Sequence, residues 1–148
     1  MRLPDDFEVY VKKGVIKKIS VDKSRAEFLM KETQNSLEGL KERVEKLGIN
    51  NKNANSIIKD CYDIIIELIR AKLLLSGYSS SGSFAHEAEV SYLKKLNFPD
   101  NEVSFLNELR YFRNGIMYYG KILNSEYANK VYRFLEKIYP KLKKLVKR

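Results

Sequence analysis

The fold is decided by the stretch Ile57-Ile58-Lys59-Asp60-Cys61-Tyr62-Asp63-Ile64-Ile65-Ile66-Glu67-Leu68-Ile69, in which apolar residues occupy most sides of a helix. The pattern predicts a helix from about residue 53 to residue 76. A helix that is apolar nearly all round must be covered by neighbours, so it belongs at the centre of a bundle. Its inward residues are expected to be Ile57, Ile58, Cys61, Ile64, Ile65, Leu68, Ile69, Leu73 and Leu75.

Two helices are predicted before the central one. Residues 5–13 indicate a short leading helix, and residues 14–20 a lysine-bearing connector whose apolar alternation is too brief for a strand. Asp22 or Ser24 can cap a long helix that ends at Leu47. The inward residues of this long helix are predicted to be Phe28, Leu29, Leu37, Leu40, Val44 and Leu47.

Further helices follow the central one. Residues 77–82 are the loosest stretch, and Ser83 is placed to cap a shorter helix over residues 84–96. The last helix starts at Asn124 or Ser125. The chain therefore belongs to the all-α class, as an up-and-down bundle of four or five helices with a short extra N-terminal helix.

Length and composition favour one intracellular domain. The 148 residues suit a single domain, with an N-terminal extension (1–21) and a helical bundle (22–148). One cysteine, Cys61, excludes an intrachain disulfide and fits a reducing compartment. No stretch reaches the roughly 18 apolar residues that span a bilayer, and residues 1–6 lead into no apolar region typical of a signal peptide. We expect a cytoplasmic protein without membrane contact.

The net charge of +9 is concentrated at the C-terminal end. Residues 130–148 hold eight basic residues and one acid, Glu136, which gives +7. Such a segment can bind phosphates, although an ordinary solvated helix face is the favoured interpretation. Pro140 is expected to kink or divide this helix. Its apolar stripe is Val131, Leu135, Ile138, Leu142 and Leu145.

Several enzyme classes lack their motifs here. The chain has neither of the glycine-rich phosphate-binding motifs, and one histidine with one cysteine cannot form a His/Cys zinc site. We expect no metal and no cofactor. For His86, a surface or half-buried position is the favoured interpretation, and a role in a functional site is the alternative. The polar strip of Asp60, Asp63, Glu67 and Arg70 on the central helix is typical of a solvated face, with a cleft as the alternative.

The helix that Pro99 and Asp100 open and Gly120 closes carries the most distinctive polar residues. Arg113 and Asn114 lie off its apolar stripe, directly before a glycine that is a poor helix former. The stripe itself is Phe105, Leu109, Phe112, Ile116 and Tyr119, at the spacing of one helical face.

The spacing within this motif limits how its residues cooperate. Arg113 and Tyr118 point about 140° apart on a straight helix, whereas Asn114 and Tyr118 can converge. Convergence with Arg113 requires the helix to unwind at Gly115, or a symmetric dimer that brings a second copy alongside. Two arginines in such a groove would suit a phosphodiester.

Arg113-Asn114-x-x-x-Tyr118 resembles the signature of the HEPN domain (higher eukaryotes and prokaryotes nucleotide-binding), an arginine and a polar residue followed on the same helix by histidine. Similarity to small archaeal members extends from about residue 22 onward and includes residues 77–78, 83–88 and 118–121. The resemblance implies a metal-independent ribonuclease with a composite cleft in a homodimer. It also implies a partner minimal nucleotidyltransferase in a toxin-antitoxin-like pair.

Residue roles follow from that resemblance. Arg113 would bind phosphate, Asn114 would orient it, and Tyr118 stands in the place of the catalytic histidine. We also expect Arg110, Lys121 and Tyr119 to contact nucleic acid, and His86, Glu67 and Arg70 to surround the site. A phenol is a poor general base at neutral pH, so binding of RNA or nucleotide with weakened catalysis is the favoured function.

Two alternatives remain open. One is an active ribonuclease that uses Tyr118 or His86. The other is a helical protein-interaction module in which Arg113 pairs with an acid such as Glu108 or Asp63.

Overall fold

The fold is described over residues 3–147 of a computed structural model, so Arg148 of the predicted basic tail lies outside the described residues, as do Met1 and Arg2. Within that range the chain forms six helices and two short strands. In chain order they are α1 (Phe7–Lys12), β1 (Ile16–Lys18), α2 (Lys23–Leu47), α3 (Ala54–Leu75), β2 (Tyr78–Ser80), α4 (Ala85–Lys95), α5 (Asp100–Tyr119) and α6 (Ser125–Val146).

Helix α3 lies at the centre, as its sequence predicts. It packs against α2, α4, α5 and α6, and also against β2. Leu75 at its end is half-buried, while the other predicted inward residues are buried. Because burial of apolar surface is the main favourable term in folding, this helix organises the core. Its largest fully buried side chains are Tyr62, Ile58, Ile65, Ile66, Leu68, Ile69 and Leu73.

A small antiparallel sheet adds to the all-helical class that the sequence predicts. Ile16 lies opposite Ser80 and Lys18 lies opposite Tyr78. Three-residue strands are too short to show a two-residue alternation, so their pairing depends on contacts distant in sequence. Gly77 enters β2 with φ +80°, and a Cβ there would come within 3.0 Å of the Ile19 carbonyl oxygen.

The sheet attaches the predicted N-terminal extension to the bundle. Phe7 and Tyr10 on α1 and Ile16 on β1 are buried in the same hydrophobic core as the later helices. Helix α1 packs against α4, and β1 against β2. The extension is therefore part of the core and not a separate appendage.

Some predicted inward residues face outward. Phe28 and Leu47 on α2 are exposed, because α2 packs mainly on α3 and buries a narrow face that includes Leu37 and Leu40. Pro140 does not divide α6, which continues to Val146. Pro140 is exposed and lies outside the buried stripe of α6, whose predicted inward residues at 131, 135, 138 and 142 are buried while Leu145 is half-buried.

The helix ends follow local side-chain chemistry in most cases. Asp22 caps α2 and Asn124 caps α6, each by accepting a hydrogen bond from a backbone N–H in the first turn. Gly120 ends α5 in the left-handed region. The predicted Ser83 cap is wrong, because α4 begins at Ala85 and the preceding Phe84 makes no side-chain cap.

Among residues 3–147, none of the helices combines the length and apolar character needed to cross a membrane.

Candidate functional site

Arg113 is held by helix α3. Its Nη2 donates a hydrogen bond of 3.2 Å to Asp63 Oδ1, and its guanidinium carbon lies 5.7 Å from the centre of the Tyr62 ring. The side chain is only 15% exposed, and its Nε has no hydrogen-bond partner among the described residues. Of the two acids expected as partners, Asp63 fills that position. Glu108 instead accepts a hydrogen bond from Tyr127.

A cleft of about 250 Å³ opens beside this pair. It joins α3, α4 and α5, and it brings Arg113 together with the residues that were expected to surround it. We call it the Arg113 cleft. Its lining residues are Asp63, Ile66, Glu67, Arg70, His86 and Arg113.

A buried carboxylate organises the wall of this cleft. Glu89 on α4 is fully buried and accepts hydrogen bonds from Arg70 Nε at 2.5 Å, Arg70 Nη2 at 3.2 Å and Ser80 Oγ at 2.9 Å. The Tyr62 hydroxyl lies 3.1 Å from His86 Nδ1, which is also 3.8 Å from Glu89 Oε1. The Tyr62 hydroxyl therefore holds His86 where it borders the cleft.

Glu89, Tyr62 and Ser80 were not predicted as site residues. A signal for Glu89 exists in the sequence, because it lies one helical turn before the fully buried Leu93. A carboxylate on an inward face requires a cation, and Arg70 is the nearby one. Ser80 gives no such signal, since its strand was not predicted.

The electrostatics of the cleft favour a neutral imidazole. Burial is the largest influence on the pKa of His86 and lowers it; Glu89 opposes this effect, while Arg70 and Arg113 add to it. Burial raises the pKa of Asp63, against the effect of Arg113. His86 can thus accept a proton at neutral pH.

Tyr118 does not reach the Arg113 cleft. Its side chain is 71% exposed, and it is not among the residues that line the cleft. Tyr119 was predicted on the core face, but this is wrong because it is 85% exposed. Helix α5 extends beyond the core in its last turn, so neither tyrosine has a layer to pack against. Asn114 is half-buried and is likewise absent from the cleft lining.

The helix does not unwind at Gly115. Helix α5 is continuous to Tyr119, and the Gly115 carbonyl accepts a hydrogen bond of 3.1 Å from the Lys121 N–H. A Cβ at Gly115 would lie 3.2 Å from Lys121 Cδ. The glycine therefore leaves room for the Lys121 side chain as the chain folds back. Within one subunit, Arg113 and Tyr118 remain apart.

The end of α5 presents a mixed aromatic and basic surface. Lys121 Nζ lies 5.2 Å from the centre of the Phe112 ring and 5.9 Å from that of Tyr111. Arg110, directly before Tyr111, is half-buried, and its Nε donates a hydrogen bond of 3.0 Å to Asn107 Oδ1. We call this region the α5-end surface; its exposed large side chains are Tyr111, Met117, Tyr118, Tyr119 and Ile122.

Among residues 3–147, no group of three or more histidine, cysteine, aspartate or glutamate side chains is arranged to hold a metal ion. Comparisons with models of known protein families, with curated proteins and with solved structures gave no match to this chain.

Proposed function

We propose that this protein is an RNA-binding homodimer of the HEPN type that contacts RNA through the α5-end surface. The observation that carries the proposal is the exposure of Tyr118 and Tyr119, which stand three and two residues before Lys121 in the sequence. Aromatic side chains next to basic ones bind single-stranded nucleic acid, because bases stack on the rings while the cations contact phosphates. Stacking contributes about 1–3 kcal/mol per base.

We propose a homodimer because one subunit alone leaves apolar side chains of the α5-end surface uncovered. Met117 and Ile122 are exposed apolar side chains that cannot stack on bases as flat rings do. A two-fold contact through them would join the α5-end surfaces of two subunits. The resemblance of Arg113-Asn114-x-x-x-Tyr118 to the HEPN signature supports the same arrangement, and it adds a nucleotidyltransferase partner to the proposal.

The direct test is a titration of purified protein with fluorescent single-stranded RNA at several salt concentrations. We expect the RNA affinity to fall as the salt concentration rises. In a plot of log affinity constant against log salt concentration, the slope should be about −0.7 per neutralised phosphate. Sedimentation at the same concentrations should give a dimer of the 17.3 kDa chain. No binding at low salt, together with a monomer, would leave the helical interaction module as the better description.

A second candidate, a metal-independent ribonuclease, is favoured by one specific observation. His86 and Arg113 line one cleft, and burial lowers the pKa of His86 so that the imidazole is neutral. In this activity the imidazole would take the proton of a 2′-hydroxyl as its oxygen bonds to phosphorus. The P–O5′ bond breaks, water protonates the leaving oxygen, and a 2′,3′-cyclic phosphate remains.

A further inference from the structure

A second cleft, of about 240 Å³, lies on the other side of Arg70. It is enclosed by α2, the end of α3, strand β2 and the start of α4, and no residue of the α5-end surface contributes to it. We call it the Arg25 cleft. Its lining residues are Arg25, Leu29, Arg70, Leu73, Leu74, Tyr78, Ser79, Ser80 and Ala85.

The charge of this cleft differs from that of the Arg113 cleft. Two arginines and no carboxylate line the Arg25 cleft, whereas Asp63 and Glu67 offset the two arginines of the other. No carboxylate of the described residues lies within 4.0 Å of the Arg25 guanidinium. After Glu89 neutralises Arg70, one positive charge remains. Anions are therefore favoured here over the Arg113 cleft.

Arg70 and Ser80, on one side of the Arg25 cleft, are held in place in advance. Glu89 is fully buried and holds Arg70 by two hydrogen bonds, and it also holds the Ser80 hydroxyl. A guanidinium has five N–H donors, so Arg70 keeps donors for a ligand. Its side chain remains 38% exposed. Because these groups are already ordered, binding costs less conformational entropy than it would with mobile side chains.

The floor of the cleft is apolar. Leu73 and Leu74 are buried core residues, and Leu29 and Tyr78 are half-buried beside them. A ligand that fits both surfaces carries an anionic head and an apolar body. The volume is below the roughly 300–1,000 Å³ of pockets for drug-sized molecules, so the body is small.

We propose that the Arg25 cleft binds a small oxyanion, a phosphate monoester or a carboxylate, carried on an apolar body. The Arg25 and Arg70 guanidinium groups contact the anionic oxygens, with the Ser79 hydroxyl beside them. The apolar body lies on Leu29 and Leu73. This site does not depend on RNA binding, since it shares only Arg70 with the Arg113 cleft.

The test is ligand titration of the full chain, followed by NMR, with four probes: phenyl phosphate, benzoate, inorganic phosphate and benzyl alcohol. Phenyl phosphate, benzoate or both should bind about tenfold or more tightly than inorganic phosphate and benzyl alcohol, because each of the latter lacks one half of the ligand. Methyl signals of Leu29 and Leu73 should shift. The ratio of the phenyl phosphate and benzoate affinities identifies the preferred head group.

Matched variants on α2 separate a site from general charge attraction. Arg25→Gln should weaken the tighter probe about tenfold. Lys31→Gln removes the same charge from an exposed position on the same helix and should leave binding unchanged. Three results would overturn the proposal. They are equal effects of the two variants, equal binding of inorganic phosphate and phenyl phosphate, and NMR shifts confined to the Arg113 cleft.

Discussion

Arg113 on α5 and Asp63 on α3 form a hydrogen-bonded ion pair, with Nη2 3.2 Å from Oδ1. The residue that the sequence assigns to phosphate binding is thus already paired with a carboxylate. A phosphate that enters the Arg113 cleft has to compete with Asp63 for the guanidinium. The Arg113–Asp63 ion pair should therefore weaken phosphate binding in the Arg113 cleft.

Asp63→Asn should strengthen RNA binding several-fold, because it releases Arg113 and removes a negative charge from the cleft. The cost in stability should be about 1–3 kcal/mol, because Arg113 is only 15% exposed and loses its carboxylate partner. Asp60→Asn is the matched control, as Asp60 loses the same charge on the same helix but pairs with Arg43. If both variants strengthen binding equally, the effect is general charge and not release of Arg113.

Glu89→Gln should destabilise the fold by about 1–3 kcal/mol, because it removes the buried counter-charge of Arg70, whose side chain is itself 38% exposed. Urea unfolding followed by circular dichroism measures the loss. Glu45→Gln, at an exposed position on α2, should change stability by less than about 0.5 kcal/mol. A loss in Glu89→Gln no larger than in Glu45→Gln would contradict the role of Glu89 as the organiser of the cleft wall.

His86 makes stability depend on pH in a definite direction. Burial lowers its pKa in the folded state, so the unfolded chain binds the proton first as pH falls. Stability should decline as pH drops below about 6.5 and level off below the folded pKa. The chain has one histidine, so its NMR signals can be titrated directly. His86→Gln should remove this part of the pH dependence; a folded-state pKa above 6.5 contradicts the assignment.

If the protein cleaves RNA, substitutions of the two candidate general bases, His86 and Tyr118, should change the cleavage rate to clearly different extents. His86→Asn should abolish formation of 2′,3′-cyclic phosphate ends, because His86 borders the cleft with Arg113. Tyr118→Phe should leave the cleavage rate nearly unchanged, since Tyr118 is exposed and does not line the cleft. The opposite result would show that Tyr118 provides the base, which requires a partner subunit to bring it to the arginine.

Local pattern was sufficient for the helices. The spacing of residues such as Ile58, Ile65 and Leu68 is enough to predict that they are buried. Asp22 indicates the start of α2 because its side chain can cap the helix. Phe28 shows the limit of this reasoning. An apolar residue can continue a stripe, but only the number of helices packed alongside decides how wide a face is buried.

The candidate site depended on contacts that no local pattern shows. His86 and Arg113 lie 27 residues apart and meet because α4 and α5 pack on each other and on α3. Ser80 reaches Glu89 through a strand of three residues. The sequence predicts His86, Glu67 and Arg70 around Arg113, and tertiary packing supplies the physical reason for their proximity.

Tyr118 and Tyr119 form the proposed RNA contact, and the RNA affinity of a Tyr118→Ala/Tyr119→Ala double variant measures their contribution. With loss of about 1–3 kcal/mol per stacked base, RNA binding should weaken about tenfold or more. Phe28→Ala removes another exposed aromatic ring, from α2, and should leave RNA affinity unchanged. Affinity of the double variant equal to that of the wild-type chain would contradict the account.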